Sequence, residues 1–111
     1  MAGKFELKKS TDGQFYFHLK AANGEIILVS ERYKAKASAE HGIQSVKKNA
    51  VDDKHYERKQ TQKGQPMFNL KAVNHEVIGT SESYSSAEAR DAGIEAVKRD
   101  APDAPVEDLS A

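Results

Sequence analysis

The chain of 111 residues contains no cysteine and no tryptophan, and only three of its residues are proline. Without cysteine there is no disulfide framework, no thiolate zinc site and no cysteine nucleophile. No stretch approaches the roughly 20 apolar residues that span a bilayer, and the first residues lack the apolar run of a signal peptide. We therefore expect a cytoplasmic protein that does not cross a membrane.

The chain also lacks an excess of either charge, because its 17 basic residues balance its 17 acidic residues. A neutral protein has no basic field to hold a polyanion at physiological salt, so non-specific nucleic-acid binding is disfavoured. Its length predicts one small domain, which buries roughly two thirds of the surface of its unfolded chain. Such a core needs no metal or cofactor for stability, and we expect no cofactor.

An internal duplication organises the sequence. When the chain is shifted by 51 positions, residues 5–50 align with residues 56–101 without a gap, and 19 of the 46 pairs are identical. Agreement at a fixed period is the signature of a repeated structural unit. We therefore predict a single domain, residues 1–111, made of two repeats at about residues 4–53 and 55–109. Residues 51 positions apart are called counterparts below.

Each repeat is predicted to contain three strands followed by a helix. Apolar and polar residues alternate at residues 5–8 and again at residues 15–20, which is typical of half-buried strands. The dipeptide Asn23-Gly24 predicts a type I′ hairpin turn, in which both residues have positive φ, leading into a third strand at residues 25–30.

The apolar spacing then changes to three or four residues, which predicts one amphipathic helix in each repeat. The apolar stripes are Ala39, Gly42, Ile43, Val46 and Ala50 in the first repeat and Gly93, Ile94, Val97 and Ala101 in the second. Ser85 or Ser86 can cap the second helix, and Ser85 with Glu88 has the spacing of a capping box. Lys34 and Ala35 stand at the aligned positions of the first helix and cannot cap it.

One repeat has too little apolar surface to fold securely alone, so the two repeats should share one core. The predicted fold class is α+β. The simplest arrangement is one antiparallel sheet with both helices packed on one face and an approximate two-fold axis between the repeats. Gly42 and Gly93 would permit close approach of the helices. The opposite face of the sheet would be open to water.

The doubled strings KAANGEIILVSERY and KAVNHEVIGTSESY, followed by helices ending in GIQSVKKNA and GIEAVKRDA, resemble the YegP-like family of bacterial tandem-repeat proteins of unknown function. The resemblance covers nearly the whole chain and implies two tandem β-β-β-α-β repeats with exchanged C-terminal strands. Residues 51–53 and 106–108 would be those strands. The residues alone predict instead that residues 102–111 form a tail containing proline and aspartate. The resemblance implies no particular activity.

Catalytic motifs are absent from the sequence: it has no nucleophile elbow, no phosphate-binding glycine loop and no zinc-protease helix motif. The four histidines, His18, His41, His55 and His75, lack the spacing that places two imidazoles on one metal, so no metal site and no catalytic residue is predicted. His18 takes an outward position on its strand, and its counterpart in the other repeat is Asn69. We interpret it as a solvated surface histidine, with acid–base catalysis as the alternative.

The clearest polar signal is a set of six residues that is identical in both repeats. These candidate binding residues are Lys20, Asn23, Glu25, Ser30, Glu31 and Tyr33 in the first repeat and Lys71, Asn74, Glu76, Ser81, Glu82 and Tyr84 in the second. One interpretation is structural, because Asn suits turns, Ser bonds local backbone and Tyr packs its ring. The other is that the axis gathers them into two equivalent grooves for a small polar ligand or a peptide. The glutamates would alternatively pair for acid and base work.

Two classes of function follow. The favoured class is a non-catalytic binding or assembly module that uses this polar set, an edge strand or the open sheet face. The open-face candidates are Tyr16, His18, Lys20, Met67, Asn69 and Lys71. Outward lysines, Lys8, Lys20, Lys59 and Lys71, leave weak nucleic-acid binding as an alternative, although glutamates interrupt them. The other class is a small acid–base hydrolase or isomerase.

The partner is left open as a protein, a peptide or a small polar ligand, with nucleic acid disfavoured and no membrane. We expect a monomer, because fused repeats already supply the pairing for which a single repeat would need a second chain.

Overall fold

The computed structural model describes residues 3–110; Met1, Ala2 and Ala111, at the ends of the predicted domain, lie outside the described residues. This part of the chain has an α+β fold with one mixed sheet of seven strands and two α-helices. The strands are β1 (Lys4–Lys9), β2 (Phe15–Lys20), β3 (Ile26–Val29), β4 (Tyr56–Gln60), β5 (Pro66–Lys71), β6 (Val77–Thr80) and β7 (Val106–Asp108). The helices are α1 (Lys36–Asn49) and α2 (Ala87–Asp100), and short 3-10 helices cover Asp53–His55 and Ala101–Asp103.

The sheet has the strand order β4-β5-β6-β3-β2-β1-β7, so the strands of the two repeats meet at β3 and β6. Neighbouring strands are antiparallel except β1 and β7, which are parallel. The prediction of a wholly antiparallel sheet is therefore wrong at this edge. The reason is that β7, from the end of the second repeat, pairs with β1 of the first. The Phe5 amide donates to Pro105 O at 2.8 Å, and the Leu109 amide donates to Leu7 O at 2.7 Å.

The strand implied at residues 51–53 does not form. Instead, a 3-10 helix at Asp53–His55 leads directly into β4. The hydroxyl of Tyr56, the first residue of β4, donates to Ala50 O at 2.7 Å and ties the end of α1 to that strand. The segment between α1 and β4 is too short to form a strand that pairs with another part of the sheet. The end of the second repeat, in contrast, extends to β1 and pairs with it. The tail expected at residues 102–111 therefore contains a strand.

The hairpin turns also differ from the predicted type I′. Gly24 has a positive φ of 87°, but Asn23 does not, and the Gly24 amide donates to Ala21 O at 2.9 Å. This pattern fits a loop whose last residue alone is left-handed. The counterpart of Gly24 is His75, which takes the same conformation with a φ of 69°. The turn geometry is thus kept although one repeat has lost its glycine.

The helix starts follow the predicted difference between the repeats. Ser86 caps α2, because its hydroxyl accepts a hydrogen bond from the Ala89 amide at 3.1 Å. The alternative cap, Ser85, is not the residue used. The cap position of α1 is Ala35, which provides no side-chain hydrogen bond.

A single buried cluster joins both repeats. From the strands it contains Phe5, Leu7, Phe17, Leu19, Leu28, Phe68 and Leu70, and from the helices Ile43, Val46, Ile94 and Val97. Helix α1 contacts β1, β2, β5 and β6, and helix α2 contacts β3 and β5. Each helix therefore packs on strands of both repeats, as expected for a shared core.

Gly42 and Gly93 make room for tyrosines rather than for the other helix. A Cβ atom on Gly93 would lie 2.3 Å from the Tyr84 hydroxyl, and one on Gly42 would lie 2.7 Å from the Tyr33 hydroxyl. Each tyrosine ring stacks nearly parallel to a core phenylalanine, at 6.4 and 6.3 Å between centroids. The two glycines thus allow a tyrosine to close each end of the core.

The junction of the two repeats is asymmetric. Val29 of β3 pairs with its counterpart Thr80 of β6. Beside this pair, the fully buried Leu28 lies against its own counterpart, Gly79, and a Cβ atom on Gly79 would be 2.6 Å from Leu28 Cγ. One large side chain therefore fills the space that the two counterparts share.

Two buried polar side chains pair on the sheet face opposite the core. Glu6 and His18 are cross-strand neighbours, each 5% exposed, and His18 Nε2 lies 2.6 Å from Glu6 Oε1. The ammonium groups of Lys4 and Lys20 lie 3.5 and 3.3 Å from the same carboxylate. The hydrogen bond with His18, followed by the contact with Lys20, lowers the pKa of Glu6 to about 2. The prediction of a solvated His18 is wrong, because Glu6 on one side and Val29 on the other flank it within the sheet.

We expect Glu6→Gln to flatten the acid dependence of stability. A carboxyl group whose pKa is lowered by folding stabilises the protein above its unfolded pKa and loses that effect as the pH falls to the folded pKa. For Glu6 this window runs from the ordinary value of 4.5 down to about 2. Within it, this group alone should reduce the free energy of unfolding by up to about 1.4 kcal/mol for each pH unit. Urea unfolding at several pH values between 6 and 3 measures the slope.

The matched control is Glu57→Gln. Glu57 is the counterpart of Glu6 and is only half-buried, and hydrogen bonds from Lys71 and then Asn69 lower its pKa as well. Its substitution should change the slope less than Glu6→Gln does. An unchanged slope in Glu6→Gln, or equal slopes in the two variants, would contradict the pairing described for Glu6 and His18.

Candidate functional site

The repeated asparagines and serines are explained by local hydrogen bonds. Asn23 Oδ1 accepts a hydrogen bond from the Glu25 amide at 3.0 Å, and Asn74 makes the equivalent bond at 3.1 Å. The Ser30 hydroxyl accepts from the Phe17 amide at 2.9 Å and donates to the adjacent main-chain carbonyl at 2.7 Å. Its counterpart Ser81 makes the same two bonds at the same lengths. These residues are therefore retained by the turns and strand ends that they stabilise.

The repeated lysines form ion pairs on the open face of the sheet. Lys20 Nζ lies 3.3 Å from the carboxylate of Glu6, and Lys71 Nζ lies 3.2 Å from that of Glu57. Asn69, the counterpart of His18, donates to Glu57 at 3.4 Å in the same row of side chains. Glutamates thus offset the positive charge that the sequence places on this face.

The repeated glutamates differ from the rest of the set because the fold does not use their carboxylates. Glu25, Glu31, Glu76 and Glu82 are all exposed. Within residues 3–110, none of them takes part in an ion pair. Hydrogen bonding and packing therefore leave their identity in both repeats unexplained.

A groove of about 400 Å³ brings four members of the set together across the repeats. The first repeat contributes Asn23 and Glu25 from the hairpin turn between β2 and β3, and the second contributes Glu82 and Tyr84. We call it the α2 groove, because that helix forms its other wall with Ala89, Ala92, Gly93, Ala96 and Arg99. The small side chains of the helix leave the space open.

The charges around Tyr84 agree with this geometry. Burial is the main reason that the pKa of Tyr84 is raised, and the carboxylates of Glu82 and then Glu25 raise it further. At the rim, the Arg99 guanidinium is held by the buried carboxylate of Asp100 at 3.0 Å. The two charges that act on the hydroxyl, those of Glu82 and Glu25, are therefore both negative.

The counterpart residues gather around Tyr33 in the same way. Burial raises the pKa of Tyr33, with further contributions from Glu31 of the same repeat and Glu76 of the other. Its hydroxyl lies over Gly42 of α1, as that of Tyr84 lies over Gly93 of α2. The structure therefore brings together seven of the twelve predicted residues in two cross-repeat clusters, Asn23, Glu25, Glu82 and Tyr84 at α2 and Glu31, Tyr33 and Glu76 at α1. Lys20, Lys71, Ser30 and Ser81 lie outside the α2 groove.

Other cavities lie at the two ends of the sheet. One of about 430 Å³ is lined by Lys4, Lys20 and the hairpin residues Ala21 and Ala22. Its counterpart, of about 320 Å³, is lined by the equivalent residues of the second repeat, with Lys71 in the place of Lys20. The first is bordered mostly by small residues, whereas the second is bordered mostly by charged and polar side chains, and neither contains the repeated glutamates.

The other predicted site residues are placed elsewhere. Tyr16 lies under the Arg32 guanidinium, 5.1 Å from the ring centroid, and His18 is engaged by Glu6. Within the part of the chain that the structure describes, no three histidine, aspartate or glutamate side chains gather where they would hold a metal ion. Neither helix in residues 3–110 is long and apolar enough to cross a membrane.

Sequence reasoning missed the helical wall of the groove. Ala89, Ala92 and Ala96 recur at intervals of three and four residues, but on a flank of α2 next to the apolar stripe. The feature of the sequence that could have indicated this wall is the small size of these three side chains. That pattern becomes informative only when the hairpin of the other repeat is known to lie opposite them.

Comparison with known proteins shows where the chain belongs. The family described as "Domain of unknown function (DUF1508)" matches residues 10–57 and again residues 62–108. A UPF0339 protein of Acinetobacter baylyi is 57% identical over 110 residues, covering 99% of each chain. The UPF0339 protein YegP of Escherichia coli strain K12 is 54% identical over 98 residues, covering 88% of this chain and 89% of the relative.

Two solution NMR structures have the same fold. The YegP structure from Escherichia coli has a TM-score of 0.95 at 50% identity and is matched over 100% of this chain and 96% of its own. A UPF0339 protein of Shewanella oneidensis has a TM-score of 0.93 at 46% identity, over 99% and 93% of the two chains. The resemblance seen in the doubled sequence strings is thereby confirmed, and this chain belongs to the UPF0339 family of YegP-like proteins, built on the DUF1508 domain of unknown function.

Proposed function

We propose that the protein is a non-catalytic binding module that takes a small polar ligand or a peptide with a positively charged group. It binds this group in the α2 groove and in the counterpart groove that the cluster around Tyr33 would form at α1. The observation that carries the proposal is that repeated glutamates without ion-pair partners in residues 3–110 meet beside a repeated tyrosine, Glu25 and Glu82 at Tyr84. Exposed carboxylates without ion-pair partners do not destabilise the fold, but the fold also does not explain why these residues are identical in both repeats.

The chemistry of the groove favours an amine or a guanidinium group. Two carboxylates attract a cation, and the tyrosine offers a hydroxyl acceptor together with an aromatic surface that favours cations. The alanine wall of α2 suits the apolar stem of such a group. The volume of about 400 Å³ falls within the range of small-molecule sites.

Two observations favour this proposal over the alternatives. The outward lysines Lys20 and Lys71 are neutralised by glutamates, which weakens the case for nucleic-acid binding. His18, the candidate acid or base, is bonded to Glu6 on the other face of the sheet and is not among the groove residues. Acid–base chemistry would therefore have to proceed without a histidine in the groove.

We further propose that one domain of two repeats, about residues 4–53 and 55–109, is organised by an approximate two-fold axis between β3 and β6. Both helices pack on one face of the sheet, and a single C-terminal strand is exchanged. The pairing of the counterparts Val29 and Thr80 supports the axis, as does the matching composition of the two glutamate clusters. The shared core supports a monomer, and the cytoplasmic location stays a prediction from the sequence.

Substitution of the glutamates tests the grooves one at a time. The probes are agmatine and a short blocked lysine peptide, with succinate as the anionic control, titrated into isotope-labelled protein and followed by NMR. Glu25→Gln with Glu82→Gln should abolish the shifts around Tyr84 and leave those around Tyr33. Glu31→Gln with Glu76→Gln should do the reverse. Affinity at the altered groove should fall about a hundredfold or more, because two hydrogen bonds to charged groups contribute roughly 1.5–3 kcal/mol each.

The matched control is Glu40→Gln, at an exposed glutamate of α1 whose counterpart is Asp91. It should leave both grooves unchanged, and all these variants should unfold within about 0.5 kcal/mol of the natural chain. The proposal would be abandoned if neither cation shifts the residues of the grooves, if the glutamine variants bind them equally well, or if succinate produces the same shifts.

A swap of Leu28 and Gly79 tests the two-fold axis. Gly79→Leu alone should destabilise the protein by about 1–3 kcal/mol or more through overpacking against Leu28. Leu28→Gly alone should cost about 2–5 kcal/mol through the cavity that it leaves. If the axis makes the two positions equivalent, the double variant should recover at least about 2 kcal/mol relative to the sum of the single effects. Additive effects in urea unfolding would contradict the proposed axis.

A further inference from the structure

The first strands of the two repeats, β1 and β4, differ in what lies along their outward edges. Parallel pairing with β7 covers β1, and the main-chain groups of Phe5 and Leu7 face β7. The counterparts of these residues in β4 are Tyr56 and Arg58. Strand β4 pairs with β5 on one side and stands at the end of the sheet on the other.

The hydrogen bonds of β5 fix the direction of the Arg58 main chain. Arg58 is paired with Phe68, whose amide and carbonyl bond Ser81 on the opposite side of β5. In an antiparallel ladder, a residue whose partner bonds away from it also directs its own amide and carbonyl outward. The Arg58 main chain therefore faces the free edge, as that of Leu7 faces β7.

Asp53 lies beside β4 at the position that corresponds to the start of β7 beside β1. Its carbonyl accepts from the Tyr56 amide, as Pro105 O accepts from the Phe5 amide. Its carboxylate lies 3.0 Å from Arg58 and 2.8 Å from Lys98 of α2. The chain then turns into β4 itself, so the edge beyond Asp53 has no strand beside it in the described residues.

The strand seated on β1 shows what kind of segment fits such an edge. Strand β7 is acidic, and its carboxylates are bound by lysines: Glu107 pairs with Lys4 at 2.7 Å, and Asp108 pairs with Lys36. The edge of β4 also carries two cations, Arg58 and Lys98, which share the Asp53 carboxylate and have Asp91 and Glu95 as their second partners. A segment that replaced the Asp53 carboxylate with its own would gain a ladder and would take over the two ion pairs that Asp53 makes.

We infer that the edge of β4 binds an extended acidic segment of a partner protein, which adds a strand parallel to β4 as β7 does to β1. A second copy of this chain is a poor occupant, because its own β7 is already held on its β1. The carboxylate of Asp53 acts as an internal substitute that keeps Arg58 and Lys98 paired until the segment arrives. This inference concerns an edge outside the grooves and does not depend on the proposed ligand.

The probe is a blocked peptide with the sequence APVEDLS, taken from residues 104–110, titrated into the full labelled chain and followed by NMR. We expect saturable shifts at Tyr56–Gln60, Asp53 and Lys98, with β1 unaffected. The charge-reversed peptide APVKKLS should not bind. Asp53→Ala should tighten binding about three- to tenfold, because it removes two exposed ion pairs that compete with the peptide.

Arg58→Pro should abolish binding, because it removes both the outward amide and the guanidinium without breaking a main-chain bond to β5. If that variant fails to fold, Asp53→Ala and the reversed peptide still decide the result. The inference would be overturned if β4 showed no shifts up to millimolar peptide, if the reversed peptide bound equally well, or if Asp53→Ala bound the peptide more weakly. Shifts at β1 would mean that the peptide only replaces β7, and shifts that depend on protein concentration alone would identify a second copy as the occupant; both would overturn it as well.

Discussion

The contact between β3 and β6 determines the rest of the structure, because it turns two small repeats into one sheet. Each repeat has one helix and three strands of its own, and the second adds the short β7, which pairs with the first repeat. Either repeat alone buries too little apolar surface for independent stability. Once Val29 and Thr80 pair, each helix covers strands of both repeats and the core becomes continuous. The same contact brings the hairpin turn of the first repeat against α2, so the α2 groove exists only in the joined molecule.

Differences between counterparts occur where the two repeats have different neighbours. Leu28 and Gly79 meet each other at the junction, where there is space for one large side chain. Leu7 is buried in the core at a strand whose edge is covered, whereas its counterpart Arg58 is exposed at an open edge. A duplicated chain begins with identical residues, but its two edges and its centre present unequal surroundings. Divergence at the junction is therefore the expected response to packing, and divergence at the outer strands follows from one covered and one open edge.

Periodicity predicted the strands and helices because it reports a local property, the side of each element that is buried. The resemblance of the doubled strings supplied a strand at residues 106–108, which the residues alone did not suggest. The parallel direction of β7, the missing strand at residues 51–53 and the burial of His18 depend instead on contacts between distant parts of the chain. Alternation correctly placed His18 opposite the core, but only the pairing with Glu6 explains why it is covered. Likewise, the repeated polar set was visible in the sequence, whereas its cross-repeat combination required the topology.

Helix α2 separates the two regions that carry the proposals and contributes different residues to each. Asp91 and Lys98 are seven residues apart and contact the β4 edge through Arg58 and Asp53. Ala89, Ala92 and Ala96 lie along another flank and form the wall of the groove. Positions seven apart share one flank of a helix, and the intervals of three and four among the alanines define a second flank. Occupation of one region therefore removes no side chain from the other, and the protein can present a charged edge and an acidic groove at the same time.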